Sequence, residues 1–280
     1  MPTVNAIRAS QLSPGEPTTA RMITIRSLIF NALFYLNLVA LMIIGLPTIL
    51  FGRHGVFALA RLWGAVSVWL LETICGLRLE YRGLENIPPG AVLIAAKHQS
   101  FLETFALLKY APDFAIILKR QLTRVPLFGL YLVVSQQIAI DRGRGRQALR
   151  EIAAAAKPVF AAGRQVFIYP EGTRRPPGAP PRYKQGVTAL YAKTGAPCLP
   201  VAVNTGLFWR RHGFLRRPGV AVIEYLPVIA PGLDPAAFSE RLQSTIEAAC
   251  ARLNAEAVEK DPSLEAILTE GANCDAKTQR

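Results

Sequence analysis

AVLIAAKHQSFLET, residues 91–104, changes character half-way. Residues 91–96 form an unbroken apolar run of strand length; from Lys97 the chain turns polar and places His98 five positions before Glu103. A short run without polar alternation reads as a strand covered on both faces. Runs of the same kind recur at 114–118, 136–140, 165–169, 198–203 and 220–226. Between them, 143–162 and 184–194 read as helices, closed by Gly163 and Gly195 in C-cap positions. The expected fold is therefore α/β, a mixed, largely parallel sheet wrapped by helices.

Upstream lies a different kind of sequence. No charged residue occurs in 27–52, and residues 27–46 alone are long enough, in helix, to cross a bilayer core of about 30 Å. The block starts too late and runs too long for a secretory signal. Residues 55–71 are apolar but contain Arg61, Trp63 and Trp69, which suits a helix at the membrane interface. Gly45 and Pro47 fall where the first helix would break. An apolar hairpin packed on the following domain satisfies the same pattern. The expected organisation is a polar tail (1–22), membrane-associated helices (23–76), the α/β domain (77–232), and C-terminal helices with a tail (233–280).

Composition narrows the function. The 280-residue chain is 51% hydrophobic, which excludes intrinsic disorder, and its formal charge of +13 points to an anionic surface, substrate or partner. The excess is local: 119–150 holds seven basic residues against one acidic, 164–184 five and 210–217 four, sixteen of the 32 in all. Four scattered cysteines, with no CxxC pair, argue against a zinc ribbon or a disulfide framework and suit a reducing compartment.

Three segments can carry chemistry. His98 follows a strand, where α/β proteins bind ligands, and a helix starting near Ser100 would bring Glu103 beside it. A carboxylate there can fix the imidazole tautomer for general-base work. Ser100-x-x-Glu103 is equally a capping box, in which Glu103 only holds the helix start. In FIYPEGTR (167–174) another strand runs into a turn, with Arg174 available for bidentate phosphate binding; a solvated structural turn fits the same residues. The run 138–143 ends a strand on Arg142. Gly143 to Ala148 also matches the GxGxxA dinucleotide fingerprint, but two strands and a helix precede it, whereas that fingerprint opens its sheet.

Taken in order, these segments resemble the glycerolipid acyltransferase family, specifically the bacterial 1-acyl-sn-glycerol-3-phosphate (lysophosphatidate) acyltransferases. His98 to Glu103 matches the HxxxxD motif with glutamate for aspartate; 119–142 matches the second motif region; 167–174 matches FPEGTR with Tyr169 at the aromatic position; and 199–201 matches the fourth. The likeness covers roughly 80–230 and includes the apolar helices before it.

The resemblance implies that His98, supported by Glu103, deprotonates the sn-2 hydroxyl of 1-acyl-glycerol-3-phosphate, which attacks an acyl-ACP or acyl-CoA thioester to give phosphatidate. It implies no acyl-enzyme, no metal and no other cofactor. Arg142 and Arg174 would bind the phosphate, with Lys119 and Arg120 as second candidates, while Glu171, Gly172 and Thr173 would shape the acceptor site. The partners implied are a membrane lipid, an acyl carrier protein or coenzyme A thioester, and an anionic membrane surface rather than nucleic acid. The domain would face the cytoplasm from the inner membrane. Acylation of another lyso-lipid, such as lyso-ornithine lipid, or a non-catalytic membrane-anchored anion-binding module remain the alternatives.

Overall fold

The computed structural model describes residues 16–274 except 142 and 144. Seven strands form one sheet: β1 (Leu77–Arg82), β2 (Leu93–Ala96), β3 (Phe114–Lys119), β4 (Ile138–Ile140), β5 (Gln165–Ile168), β6 (Cys198–Val203) and β7 (Gly219–Tyr225). Their spatial order is β1-β7-β6-β2-β5-β3-β4, and every pairing is parallel except β6 with β7. The sheet is thus mixed and largely parallel. Among the described residues eight α-helices accompany it: α1 (Glu16–Ile44), α2 (Gly52–Cys75), α3 (Leu102–Ala106), α4 (Phe128–Val134), α5 (Arg146–Ala161), α6 (Gln185–Thr194), α7 (Pro235–Lys260) and α8 (Glu265–Ala272).

Alternation along each strand builds two cores. Ile94, Ala96, Phe167, Leu199 and Val201 face a core closed by α2, α3 and α8. Leu93, Ala95, Val166, Ile168 and Ala202 face the other, closed by α5, α6 and α7. Burial on both sides explains why these strands read as continuous apolar runs. β1 was not among the expected strands. LRLEYR alternates apolar and charged residues and lies at the sheet edge against β7. Its period of two is the readable signal, and it lacks the apolar continuity of the interior strands.

The two apolar helices are anchored to this domain along their length. Asp113, at the start of β3, takes Arg53 of α2 at 3.0 Å and Arg164 at 2.6 Å. Arg61, rather than reaching for headgroups, donates to the carbonyls of Ala111 and Pro112. Phe30 and Phe34 are buried in an aromatic cluster with Trp63, Phe101, Phe105 and Trp209, so Trp63 is turned inward, while Trp69 is exposed. At the bend between the helices, a Cβ on Gly45 would lie 2.5 Å from the carbonyl oxygen of Leu41, so this position requires glycine. The outward side of α1 is apolar and exposed, with Leu28, Leu36, Val39 and Ile43 on it. Helix α1 also begins at Glu16, inside the stretch expected as a polar tail, with Pro17 in its tolerant first turn.

The hairpin is thus core on one side and bare apolar surface on the other, and the two sides should respond differently to truncation. Phe34→Ala opens a cavity in the aromatic cluster and should cost about 3–5 kcal/mol, lowering Tm by roughly 10 °C. Leu36→Ala removes an exposed side chain and should leave Tm nearly unchanged. Thermal unfolding of the detergent-solubilised protein distinguishes the two; equal shifts would show that α1 does not pack as described.

Candidate active site

β2 runs parallel to β5 on one side and β6 on the other, so all three end at the same sheet edge. His98 follows β2, the 169–175 loop follows β5, and Thr205 follows β6. Their side chains meet there. Lys97 N continues the ladder to Val201 O at 2.9 Å, and His98 O accepts from Arg175 N at 2.8 Å. Ser100 Oγ then accepts from Leu102 N at 3.1 Å, opening the short helix α3. That turn swings Glu103 back under the histidine.

Glu103 is fully buried, and its carboxylate is surrounded by donors. Oε1 accepts from Gln99 N at 2.8 Å and Ser100 N at 2.7 Å, and lies 2.8 Å from His98 Nδ1. Oε2 accepts from Thr205 Oγ1 at 2.7 Å. Gln99 Oε1 accepts from Gly206 N at 3.1 Å, a second tie between the ends of β2 and β6. Capping and histidine support are therefore not alternatives here, because one oxygen holds the helix start and faces the imidazole. Facing an acceptor, Nδ1 carries the ring hydrogen and leaves the lone pair on Nε2. Tyr169 stacks on the imidazole with centroids 3.9 Å apart, fixing its plane. Burial first, and the Glu103 charge second, drive the Tyr169 phenol pKa upward, so it stays neutral.

A second charged cluster lies behind the first. Lys97, itself buried, pairs with Glu247 of α7 at 2.7 Å and Glu171 at 3.2 Å, and Tyr183 OH donates to Glu247 at 2.9 Å. Glu171 also accepts from Arg182 N at 3.2 Å, and burial raises its pKa against the lowering influence of Lys97. It is held inside the 169–184 loop. Gly172, with φ 66°, donates to Tyr169 O at 2.8 Å and closes the turn. Thr173 and Arg174 are partly exposed on the same loop, and the Arg174 guanidinium lies 6.0 Å from the Phe101 ring. The second pair of candidates stands apart: Lys119 ends β3, and Arg120 faces Glu151 of α5 at 3.5 Å. Arg142 lies outside the described residues. No group of three His, Cys, Asp or Glu suited to a metal occurs among the described residues.

Comparison with known proteins gives this geometry a lineage. The family model described as Acyltransferase matches residues 78–204. A 1-acyl-sn-glycerol-3-phosphate acyltransferase of Pseudomonas aeruginosa is 39% identical over 179 residues, 64% of this chain and 70% of that protein. The chain belongs to the acyltransferase family. The chloroplastic 1-acyl-sn-glycerol-3-phosphate acyltransferase LPAT1 of Arabidopsis thaliana is 28% identical over 200 residues, 68% of this chain and 54% of that one. The crystal structure of the 1-acyl-sn-glycerophosphate (LPA) acyltransferase PlsC from Thermotoga maritima superposes with a TM-score of 0.67 over 83% of this chain and 99% of its own, at 21% identity, a likeness of fold.

Thr205 and Glu247 escaped the sequence reading, while Lys97 and Gln99 lie in its 97–104 segment without a role of their own. Thr205 had a signal, since it stands two residues beyond a buried strand, as His98 does. Glu247 had none, because it sits in mid-helix with its partner 150 positions away.

In this acyltransferase Glu103→Gln is a clean probe of charge. The amide oxygen still accepts from Gln99 N, Ser100 N and the imidazole, and its NH₂ can meet the Thr205 hydroxyl. The fold should persist, and if Glu103 serves to stabilise an imidazolium, kcat should fall on the order of 10²-fold or more with the loss of its negative charge. Glu103→Asp should recover part of the loss. Full activity in Glu103→Gln, read by steady-state acyl transfer, would reduce this residue to a helix cap.

Proposed function

We propose that this acyltransferase moves a fatty acyl group from an acyl-ACP or acyl-CoA thioester to the sn-2 hydroxyl of 1-acyl-glycerol-3-phosphate, making phosphatidate. The observation that carries the reading is the His98 imidazole held at 2.8 Å by a buried carboxylate that is itself bound by three further donors. Such a ring is oriented and needs no reorganisation when it takes a proton. Nε2 removes the hydroxyl proton as the acceptor oxygen attacks the thioester carbonyl. The imidazolium is stabilised by Glu103, the tetrahedral intermediate expels the carrier thiolate, and the imidazolium returns the proton to that sulfur. The names of the relatives support the acceptor, and burial of Cys75, Cys198 and Cys250 supports direct transfer. Cys250 is pushed up to about 12, and Cys198 is raised by burial as well.

Arg174 binds the acceptor phosphate from the rim beside Phe101, joined by Arg142 on the strength of the motif alone. Glu171, Gly172 and Thr173 hold the loop that carries Arg174; Lys119 and Arg120 are the reserve if the phosphate lies elsewhere. The acceptor is a membrane lipid, so the site must open at a bilayer. The apolar outer face of the hairpin suits it. Contacts with the domain run along α1 from Ser27 Oγ, bonded by Arg216 N, to Met42 O, bonded by Tyr131. That length is about 22 Å at 1.5 Å per residue. A helix fastened over such a distance lies in the interface with its domain instead of crossing alone. The cytoplasmic face of the inner membrane follows from where acyl carriers and reduced thiols are found.

His98→Ala should abolish transfer, by about 10²–10⁴-fold or more, with membrane binding and Tm retained because Glu103 keeps its other three donors. More than about a tenth of wild-type kcat, well inside that range, would sink the mechanism. Arg174→Ala should raise KM for the phosphate-bearing acceptor at least about tenfold, as expected for a lost charge-assisted pair, and leave KM for the thioester alone. An unchanged acceptor KM would move the phosphate site toward Lys119 and Arg120.

A further inference from the structure

Between β3 and β4 the chain makes an outward bulge, a 3-10 turn at Arg120–Arg124 followed by α4. Its inner side is closed by Gly129, Tyr131 and Leu132, all buried. Its outer side presents Leu122, Val125, Leu127, Leu130 and Val133, the last 65% exposed. Contiguous apolar surface of this kind marks a contact with something else. The bulge is also built to hold its shape. Leu127 sits at φ 61°, ψ −54°, in a γ-turn closed by Phe128 N on Pro126 O at 2.7 Å, a conformation a leucine holds only under strain. A Cβ on Gly129 would lie 2.1 Å from Thr123 O, so that approach requires glycine.

We propose that this bulge is a second bilayer-docking surface, which enters the headgroup region of an anionic membrane beside the hairpin. The proposal rests on the membrane reading above and extends it to a segment that is not part of the apolar hairpin. Continuity supports it, because Tyr131 OH donates to Met42 O at 2.8 Å and so sets α4 against the last turn of α1. Charge supports it too. Lys119 and Arg124 flank the apolar residues, Arg120 is paired with Glu151 at 3.5 Å, and no acidic residue occurs from 114 to 140. Basic residues around short apolar side chains match a surface of anionic headgroups over acyl chains. The enzyme would then meet the membrane at two places, the hairpin and a bulge rooted at the carboxyl end of β3, and two places fix the orientation of the domain.

The test places a polarity-sensitive fluorophore on single cysteines in full-length protein, with the exposed Cys274 replaced by serine and the remaining three thiols buried. Labels go on Val133→Cys in the bulge, Leu36→Cys on the outer face of α1, and Glu240→Cys on α7, across the sheet from the hairpin. On vesicles of phosphatidylcholine and phosphatidylglycerol, the labels at 133 and 36 should shift to the blue and the label at 240 should not move. A label at 133 that stays in water while that at 36 enters lipid overturns this proposal and leaves the hairpin reading intact. The converse pattern upholds the bulge and overturns the hairpin reading. A shift at 133 that follows protein concentration without vesicles assigns the face to a second copy of the chain and overturns the proposal. Leu130→Gln with Val133→Gln should weaken co-sedimentation with the same vesicles about tenfold; unchanged partitioning also overturns it.

Discussion

A carboxylate with no access to water must be given donors, and Glu103 takes them from three places. Gln99 N and Ser100 N belong to its own turn, His98 to the end of β2, and Thr205 to the chain leaving β6. An unpaired charge at this depth would be costly enough to deform its surroundings. The requirement therefore works in reverse as a constraint on the fold. β2 and β6 must be neighbours, parallel and in register, for the hydroxyl of one strand's exit to reach the carboxylate of the other's. The register Leu93 with Cys198 through Ala96 with Val201 supplies that. The same bonds that satisfy Glu103 leave His98 no freedom to rotate away.

What was legible in the sequence follows from how local the physics is. The interior strands, the histidine and the carboxylate could be read because each is a short-range pattern. The choice between helix cap and histidine partner could not, because one oxygen makes both contacts and only the three-dimensional turn shows it. Residues 27–52 hid their division of labour for a related reason. An amphipathic helix announces its buried stripe, but α1 is apolar all round, so nothing in its composition separates Phe30 and Phe34, in the core, from Leu36 and Val39, outside it. Lys97 with Glu247 pairs residues 150 positions apart and has no sequence signature at all.

Charge counting needs a similar correction. Two of the arginines that made the basic clusters conspicuous are structural. Arg164 is buried and donates to Asp113, to Phe114 O at 2.7 Å and to Ser135 O at 3.3 Å, fastening β5 to β3 and α4. Arg216 is buried with its guanidinium 3.8 Å over the Trp209 ring and is bonded to Asn31 of α1 at 2.6 Å, and burial lowers its pKa to about 10. Neither is offered to an anion in solution. The charge that remains for ligands is smaller than the count suggests and lies on the loops at the sheet edge.

Arg216 also joins the apolar hairpin to the candidate site. Its backbone N donates to Ser27 Oγ at 2.8 Å, so the loop after β6 is tied to α1. Thr205, which holds Glu103, and Trp209, which stacks under Arg216, are four residues apart on that loop. Phe34 of α1 touches both Trp209 and Phe101, and Phe101 lies three positions beyond His98. Phe101 thus ties the chain that follows His98 to the ring cluster on α1, and close-packed rings transmit displacement instead of absorbing it. A site coupled this tightly to its hairpin has a fixed height above whatever plane the hairpin rests in. On the proposed reading of a bilayer acceptor, a hydroxyl at another depth would have to move to meet it, which would make depth a criterion of substrate selection alongside headgroup charge.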